Sequence, residues 1–431
     1  MNPVRKLRAL AALVVVGALA FGSVQAQAPV TLRFVSLAWQ EQAIAAVKGV
    51  VDAWNAQNPN VQVEYQQVDW GSIQDYLVTS FETRSVPDVF HYESGPVRDF
   101  GARGFLVDLR PLISDDLRDD VVPGAWATVS GADGQAWGVP FLWESLIVLY
   151  NRDHFAAAGI EAPTIENPWT WDQMRAAATA LTVDANGDGT PERYGAAFGL
   201  RSPVNRILNL SMGFGGEFFY RTPSGGWEVR VGENEKKVLN IITEMMFEQK
   251  NASPDGVGLS GPELFPGFFE GKYSMLPGIG VWARQQIVTN GPAGFNWGVL
   301  PPLVGDTQVQ GSATQTISIP AASAHQAEAL AFLEFLLSTQ NMADLALGDW
   351  LFPTRASSFD LPQFQTEEAG WDVSIESARY LTLAPFQLVP NFAEFRSRVA
   401  TPTLQELFAG RLTVDQAAQQ IETEGNRTIS R

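Results

Sequence analysis

Along the N-terminal third of the chain the apolar positions switch repeatedly between two periods. Val30 to Ser36 (VTLRFVS) alternates as a strand does. Ile44, Val47, Val51 and Trp54 then recur at helical spacing. Asn58-Pro59-Asn60 ends that helix, because proline has no backbone N–H to continue it. Val61, Val63 and Tyr65 alternate again, Ile73, Tyr76, Leu77 and Phe81 mark a second helical face, and Pro87 to Phe90 opens a third strand. Strand, helix, strand, helix, strand at these lengths predicts a parallel α/β sheet. Ligands of such sheets sit beyond the carboxyl ends of the strands. Trp39, Asp69, Trp70, Tyr92 and Glu93 all fall at or just after predicted strand ends, so they are expected at one common edge.

Residues 138–153, GVPFLWESLIVLYNRD, are apolar almost throughout yet carry Trp143 and Glu144 at their middle. We read this stretch as a crossing between two lobes, with a ligand held where it crosses. A charged side chain in an apolar crossing needs a partner, and ligand hydroxyls or a neighbouring arginine would supply one to Glu144. Thr170 is placed to cap a helix running to about Leu181, with Gln173 closing a capping box. Further helices are expected over 236–247 and 327–337 and near Leu404, Leu407 and Phe408, and strands over 297–302 and 316–319. There is no internal repeat, low-complexity tract or long linker, so two lobes would be joined by short crossings rather than a tether.

Charge and composition narrow the setting. Residues 1–26 read as an export signal: Arg5, Lys6 and Arg8, an apolar run from Ala9 to Phe21, then Val24-Gln25-Ala26 as a cleavage site. The formal net charge of −18 becomes −21 once those three cations are removed. So acidic a chain is not expected to bind nucleic acid or an anionic membrane surface. No later stretch is apolar enough to span a bilayer, so no membrane insertion is expected after the signal is removed. The chain has no cysteine, which rules out disulfides and, on this reading, lipid attachment after the signal. A periplasmic, freely soluble, monomeric protein that is not a lipoprotein is the expectation.

No catalytic motif is present: there is no phosphate-binding loop, no GxSxG, and His91, His154 and His325 lack metal-type spacing. The positive signal is aromatic. The chain has 13 tryptophans, and Trp39, Trp70, Trp143, Trp282 and Trp350 fall at strand ends or turns, whereas Trp54 lies on a core-facing helix stripe. A tryptophan face stacks on the C–H face of a sugar ring while carboxylates, amides and arginine hold its hydroxyls. Asp69, Glu93, Glu144, Gln315 and Arg355 are the polar candidates. Core filling is the competing reading for each of these tryptophans. Asp184, Asn186 and Asp188 sit at alternate positions before a glycine, as in the start of a calcium loop, but the closing position is Gly195 rather than an acid. A metal-free Asn-Gly and Asp-Gly turn explains the same residues and is preferred, with a structural calcium ion as the alternative. No other cofactor is expected.

These pieces in order resemble the family 1 extracellular solute-binding proteins of bacterial ABC importers for sugars, the group that includes maltose-binding protein. The segments that carry the resemblance are LRFVSLAW, WNAQNP, PDVFHYES, GFLVDLRPLI, VPFLWESLIVLYNRDHF, PWTWDQM, DANGDGTPERYG, FFEGKYSMLPGIGVW, WGVLPP, AEALAFLEFLLS and LFPTR. No single segment is specific; their order and spacing are. The resemblance implies an α/β, two-lobed periplasmic-binding-protein fold of type II with a ligand cleft between lobes joined by hinge crossings. It places crossings near residues 140–146, near Gln310 and near Gly348. The N-terminal lobe would then be 27–142 with 311–348, and the C-terminal lobe 143–310 with 349–431. It also implies a sugar ligand, a membrane permease as partner, and hinged closure as the mechanism. Trp39, Trp70, Trp282 and Trp350 would wall the site, Asp69, Glu93 and Glu144 would accept hydroxyl hydrogen bonds, and Arg355 would donate. Two other readings stay open: a secreted glycoside-acting enzyme using two carboxylates, and a binding protein for a polyamine, peptide or phosphodiester.

Overall fold

The computed structural model describes residues 29–131 and 133–430; the export-signal reading of 1–26 lies outside them. The alternating stretches form β1 (Val30–Ser36), β2 (Val61–Gln67) and β3 (Val89–Glu93), with β1 parallel to both β2 and β3. Helix α1 (Glu41–Gln57) connects β1 to β2 and α2 (Ile73–Thr83) connects β2 to β3. α1 buries Val47, Val50, Val51 and Trp54 as one stripe. The Trp54 indole N–H donates to the Val61 carbonyl at 2.8 Å, so the side chain that fills the core also satisfies its polar edge.

Three later strands complete this sheet: β4 (Val139–Trp143), β12 (Thr314–Ser318) and β13 (Phe352–Pro353), in the order β13-β4-β12-β3-β1-β2. β12 is antiparallel to both β3 and β4. Its first residues therefore lie at the same edge as the last residues of its neighbours, with Gln315 opposite Glu93 and Thr314 opposite Trp143. A second sheet has the order β10-β5-β9-β6, from β5 (Leu146–Asn151), β6 (Tyr194–Ala196), β9 (Tyr273–Gly280) and β10 (Trp297–Leu300). The molecule is thus a two-lobed α/β protein, each lobe built on its own sheet. A small hairpin of β7 (Phe219–Arg221) and β8 (Trp227–Val229) lies outside both sheets.

The chain passes from β4 in the first sheet to β5 in the second through Glu144 and Ser145 alone. It returns through β11 (Gln310–Ser312), which pairs with β14 (Leu381–Leu383), and enters β12 after Ala313. The two crossings are tied side by side. The Gln310 amide accepts from the Leu146 N–H and donates to the Leu146 carbonyl, both at 2.8 Å, and the Ser312 hydroxyl donates to the Glu144 carbonyl at 2.6 Å.

The expected third boundary at residue 349 is corrected. β13 pairs with β4, the Thr354 hydroxyl donates to the Pro140 carbonyl at 2.7 Å, and the Ser358 hydroxyl donates to the Thr339 carbonyl at 2.8 Å. The chain therefore stays with the first lobe beyond residue 349 and reaches the second only with the Trp371–Ser377 helix, which packs on β5 and β10. The sequence hid this, because the two-residue strand Phe352–Pro353 leaves no periodicity to read.

Candidate functional site

A cavity of about 340 Å³ opens between the lobes at the carboxyl edge of the first sheet, where the switch of strand direction predicts a binding crevice. The first lobe contributes Trp39 after β1, Trp70 after β2, Glu93 at the end of β3, Thr314 and Gln315 at the start of β12, and Asp349 and Leu351 after the Thr339–Asp349 helix. From the second lobe come Leu146, Gly280 and Trp282 around β5 and β9, and Ser202, Asn205, Arg206 and Asn209 at the Val204–Ser211 helix. Glu144, Ser312 and Ala313 belong to the crossings themselves.

Aromatic faces bound the cavity. Trp39 is 39% exposed and meets Trp282 of the other lobe edge to face, with ring centroids 5.5 Å apart. Trp70 stands perpendicular to His91 at 5.6 Å. His91 is buried beneath the cleft and accepts the Leu37 N–H through Nδ1 at 3.3 Å. Burial lowers its pKa to about 3, so it is neutral at physiological pH.

The polar lining is rich in acceptors. Asn205 Oδ1 and Asn209 Oδ1 are buried without a hydrogen-bond partner, an arrangement that costs stability, while the Gln315 side chain bonds both His91 and Asp349. Burial raises Glu144 to about 7, and the charges of Asp349 and Glu93 push the same way. A hydrogen bond from Trp282 and the charge of Arg206 oppose the shift. Burial likewise raises Asp349 to about 7 against hydrogen bonds from Gln40 and Gln315. Arg206 is lowered to about 10 by burial, with Glu144 opposing, and its guanidinium already donates to the Gly199 and Gly278 carbonyls. The Glu93 carboxylate faces Arg396 at 3.7 Å. Gly280 makes the approach possible: a Cβ there would collide with both Glu144 Oε1 and Trp282 Nε1.

Of the residues expected at the site, Trp39, Trp70, Glu93, Glu144, Trp282 and Gln315 meet in this cavity, and five do not. Arg355 is a structural residue: it is buried and bonds Asp116 and Asp120, each at 2.6 Å, and the Leu337 carbonyl at 3.1 Å. Tyr92 is one residue out of phase with Glu93, so it points to the other face of the sheet, where its hydroxyl donates to Gln74 Oε1 at 3.1 Å. Trp143 is out of phase in the same way before Glu144 and is buried in the core. Trp350 turns away through a left-handed backbone (φ 55°) and stacks on Trp371 at 5.6 Å. Asp69 is exposed, and it is its backbone carbonyl that starts α2. Asp349 and the Val204–Ser211 helix were missed. Asp349 is the acid before Trp350 in the DWLFPTR segment, and Asn205, Arg206 and Asn209 lie on one helical face, a spacing that was available to read.

In the Asp184 loop the side chains serve the backbone. Asp184 accepts from the Gly187 and Gly189 N–H groups at 2.8 and 2.9 Å, Asn186 from Asp188 N–H and Asp188 from Thr190 N–H at 2.8 Å. Among the described residues no group of three histidine or acidic side chains is placed to hold a metal ion.

Residues 38–343 match the family model of the bacterial extracellular solute-binding proteins, and the chain belongs to that family. One relative, named an uncharacterized lipoprotein in the oleD 5′ region of Streptomyces antibioticus, is 39% identical over 90% of this chain and 85% of its own. Among solved structures, an ABC substrate-binding protein of Listeria monocytogenes in complex with cycloalternan superposes with a TM-score of 0.77 at 21% identity. The superposition covers 93% of this chain and 99% of that one. Maltose-bound MalE3 of T. maritima superposes with a TM-score of 0.78 at 18% identity, over 92% and 98%. The first relative corrects the expectation of a periplasmic protein that is not a lipoprotein. A chain this similar is named a lipoprotein, so the cysteine count was the wrong ground for assigning how and where such a chain is held. Among the described residues no helix is long and apolar enough to cross a membrane.

Proposed function

We propose that the protein is the sugar-capturing component of a bacterial ABC importer, taking a di- or oligosaccharide and presenting it to a membrane permease. The observation that carries this reading is the meeting, in one interlobe cavity, of tryptophan faces with carboxyl and amide side chains from both lobes and the crossing between them. Sugar hydroxyls pair with these carboxyl and amide groups, and sugar C–H faces suit the indoles. The bound cycloalternan and maltose of the two structural neighbours support the same class of ligand.

The mechanism follows from the two-sheet architecture. A ligand seated on Trp70, Glu93 and Gln315 of the first lobe gains Arg206, Asn209 and Trp282 when the second lobe closes over it. Closure is favoured only by the contacts that the open form lacks. A permease that docks on the closed form then reads occupancy as shape. A thermal-shift screen against a panel of oligosaccharides is expected to raise the apparent melting temperature for at least one. No shift with any of them at millimolar concentration overturns the sugar reading, and release of reducing ends during incubation would make the protein an enzyme instead.

A further inference from the structure

We propose that the sugar taken by this cleft carries a basic nitrogen, a protonated amino group seated between Glu144 and Asp349. The inference rests on the sugar reading and narrows it to amino sugars and their amine-bearing analogues.

Two carboxyl groups and one guanidinium line the deep part of the cavity. Asp349 is 7% exposed, and its side chain receives only amide donors, from Gln40 at 3.3 Å and from Gln315. Glu144 has the Trp282 indole N–H. Arg206 is the sole cation among the described lining residues, and it is committed to two backbone carbonyls. A buried charge is tolerated when it is paired, and here two acids face one cation whose hydrogen bonds are largely spent.

A neutral hydroxyl offers one proton and no charge. An ammonium group offers three donors and the charge that the pair lacks, in bonds about twice as strong as neutral ones. The charged groups facing Glu144 are Asp349, Glu93 and Arg206. Asp349 faces Gln40 and Gln315, and it shares a small cavity beneath the cleft with His91, which burial keeps neutral. Among the described lining residues there is no other cation, and Arg396 beyond them is paired with Glu93, so the ligand is the natural source of the compensating charge. Burial, and for Glu144 the neighbouring acids, hold protons on these carboxyl groups above the ordinary carboxylate range in the empty cleft, so an ammonium ligand displaces protons from them as it binds, and a neutral sugar does not.

The test is calorimetric titration of the whole protein with matched pairs: maltose and cellobiose against the same disaccharides bearing a 2-amino group, and glucose against glucosamine. At about pH 7 the amine of at least one pair is expected to bind about tenfold tighter or more than its neutral partner, the scale of a charge-assisted hydrogen bond. That advantage should shrink toward about pH 5.5, as the two acids protonate. Repeating the titration in buffers of different ionisation enthalpy should show proton release for the amine alone. Asp349→Asn is expected to reduce the amine-to-neutral affinity ratio toward one, and the proton-release measurement needs no variant. Neutral sugars binding as tightly as the amines at about pH 7, or amine binding without proton release, overturns the proposal while leaving the sugar reading intact. No binding by either member of any pair overturns both.

Discussion

Gly280 shows how one missing methyl group shapes the cleft. The Glu144 carboxylate and the Trp282 indole occupy the space a side chain would take at that position. Gly280→Ala is therefore expected to push both groups out of place and to weaken ligand binding about tenfold or more, the loss of one or two well-placed hydrogen bonds. Urea unfolding with an unchanged m-value would show that the fold is retained, and full affinity in the variant would refute the role given to this glycine. Legibility at this scale was decided by phase. Glu93 and Glu144 are chemically ordinary acids, and their residue types did suggest the site. Tyr92 and Trp143 are the neighbours immediately before them, and a strand sends neighbours to opposite faces. Choosing between adjacent residues needs the sheet's inner face, and an apolar crossing such as FLWES offers polarity on one side of the strand only.

At the scale of elements, the two short crossings act as one through Gln310. Its side-chain amide takes both backbone groups of Leu146, doing the work of a backbone partner between β11 and β5, which do not pair with each other. Gln310→Ala would leave a buried N–H and a buried carbonyl without partners. A loss of about 2 kcal/mol in chemical denaturation is expected, with faster amide exchange at Leu146. An unchanged exchange rate would show that the crossing is held by other bonds. β1, α1, β2 and α2 were legible because each carries a clear period over seven or more residues. β13 was not, being two residues long and recognisable only by its partner β4. Arg355 was misassigned for the same reason: an arginine after an apolar segment looks like a ligand donor until Asp116 and Asp120 arrive from a helix more than two hundred residues earlier.

For the whole molecule, the cleft couples stability to pH. Glu144 and Asp349 have folded pKa values of about 7, above their ordinary carboxylate values. The native state therefore holds more protons than the unfolded state between about pH 4 and 7, and stability falls as pH rises through that window. Each group shifts stability by on the order of 3–4 kcal/mol across the window. The ligand-free protein is expected to melt higher at about pH 5.5 than at about pH 8, and Asp349→Asn should flatten the difference. A melting temperature that rises across this range would contradict the assignment of these two acids. The two-lobed fold was legible from the order of segments over the whole chain, whereas the acid pair was not, because Glu144 and Asp349 are separated by nearly half the sequence and meet only where the lobes do.

The tie between the crossings has a kinematic consequence. Two independent strands would let the lobes twist, slide and bend relative to each other. With Gln310 and Ser312 fastening one crossing to the other, and β14 of the third connection paired with β11, the three connections are expected to bend together and twist little. Rotation about an axis beside Glu144 is the lobe motion that this tie favours. A ligand then has one angular coordinate to arrest, and the residue nearest that axis moves least, so Glu144 keeps its place whether the cleft is open or shut.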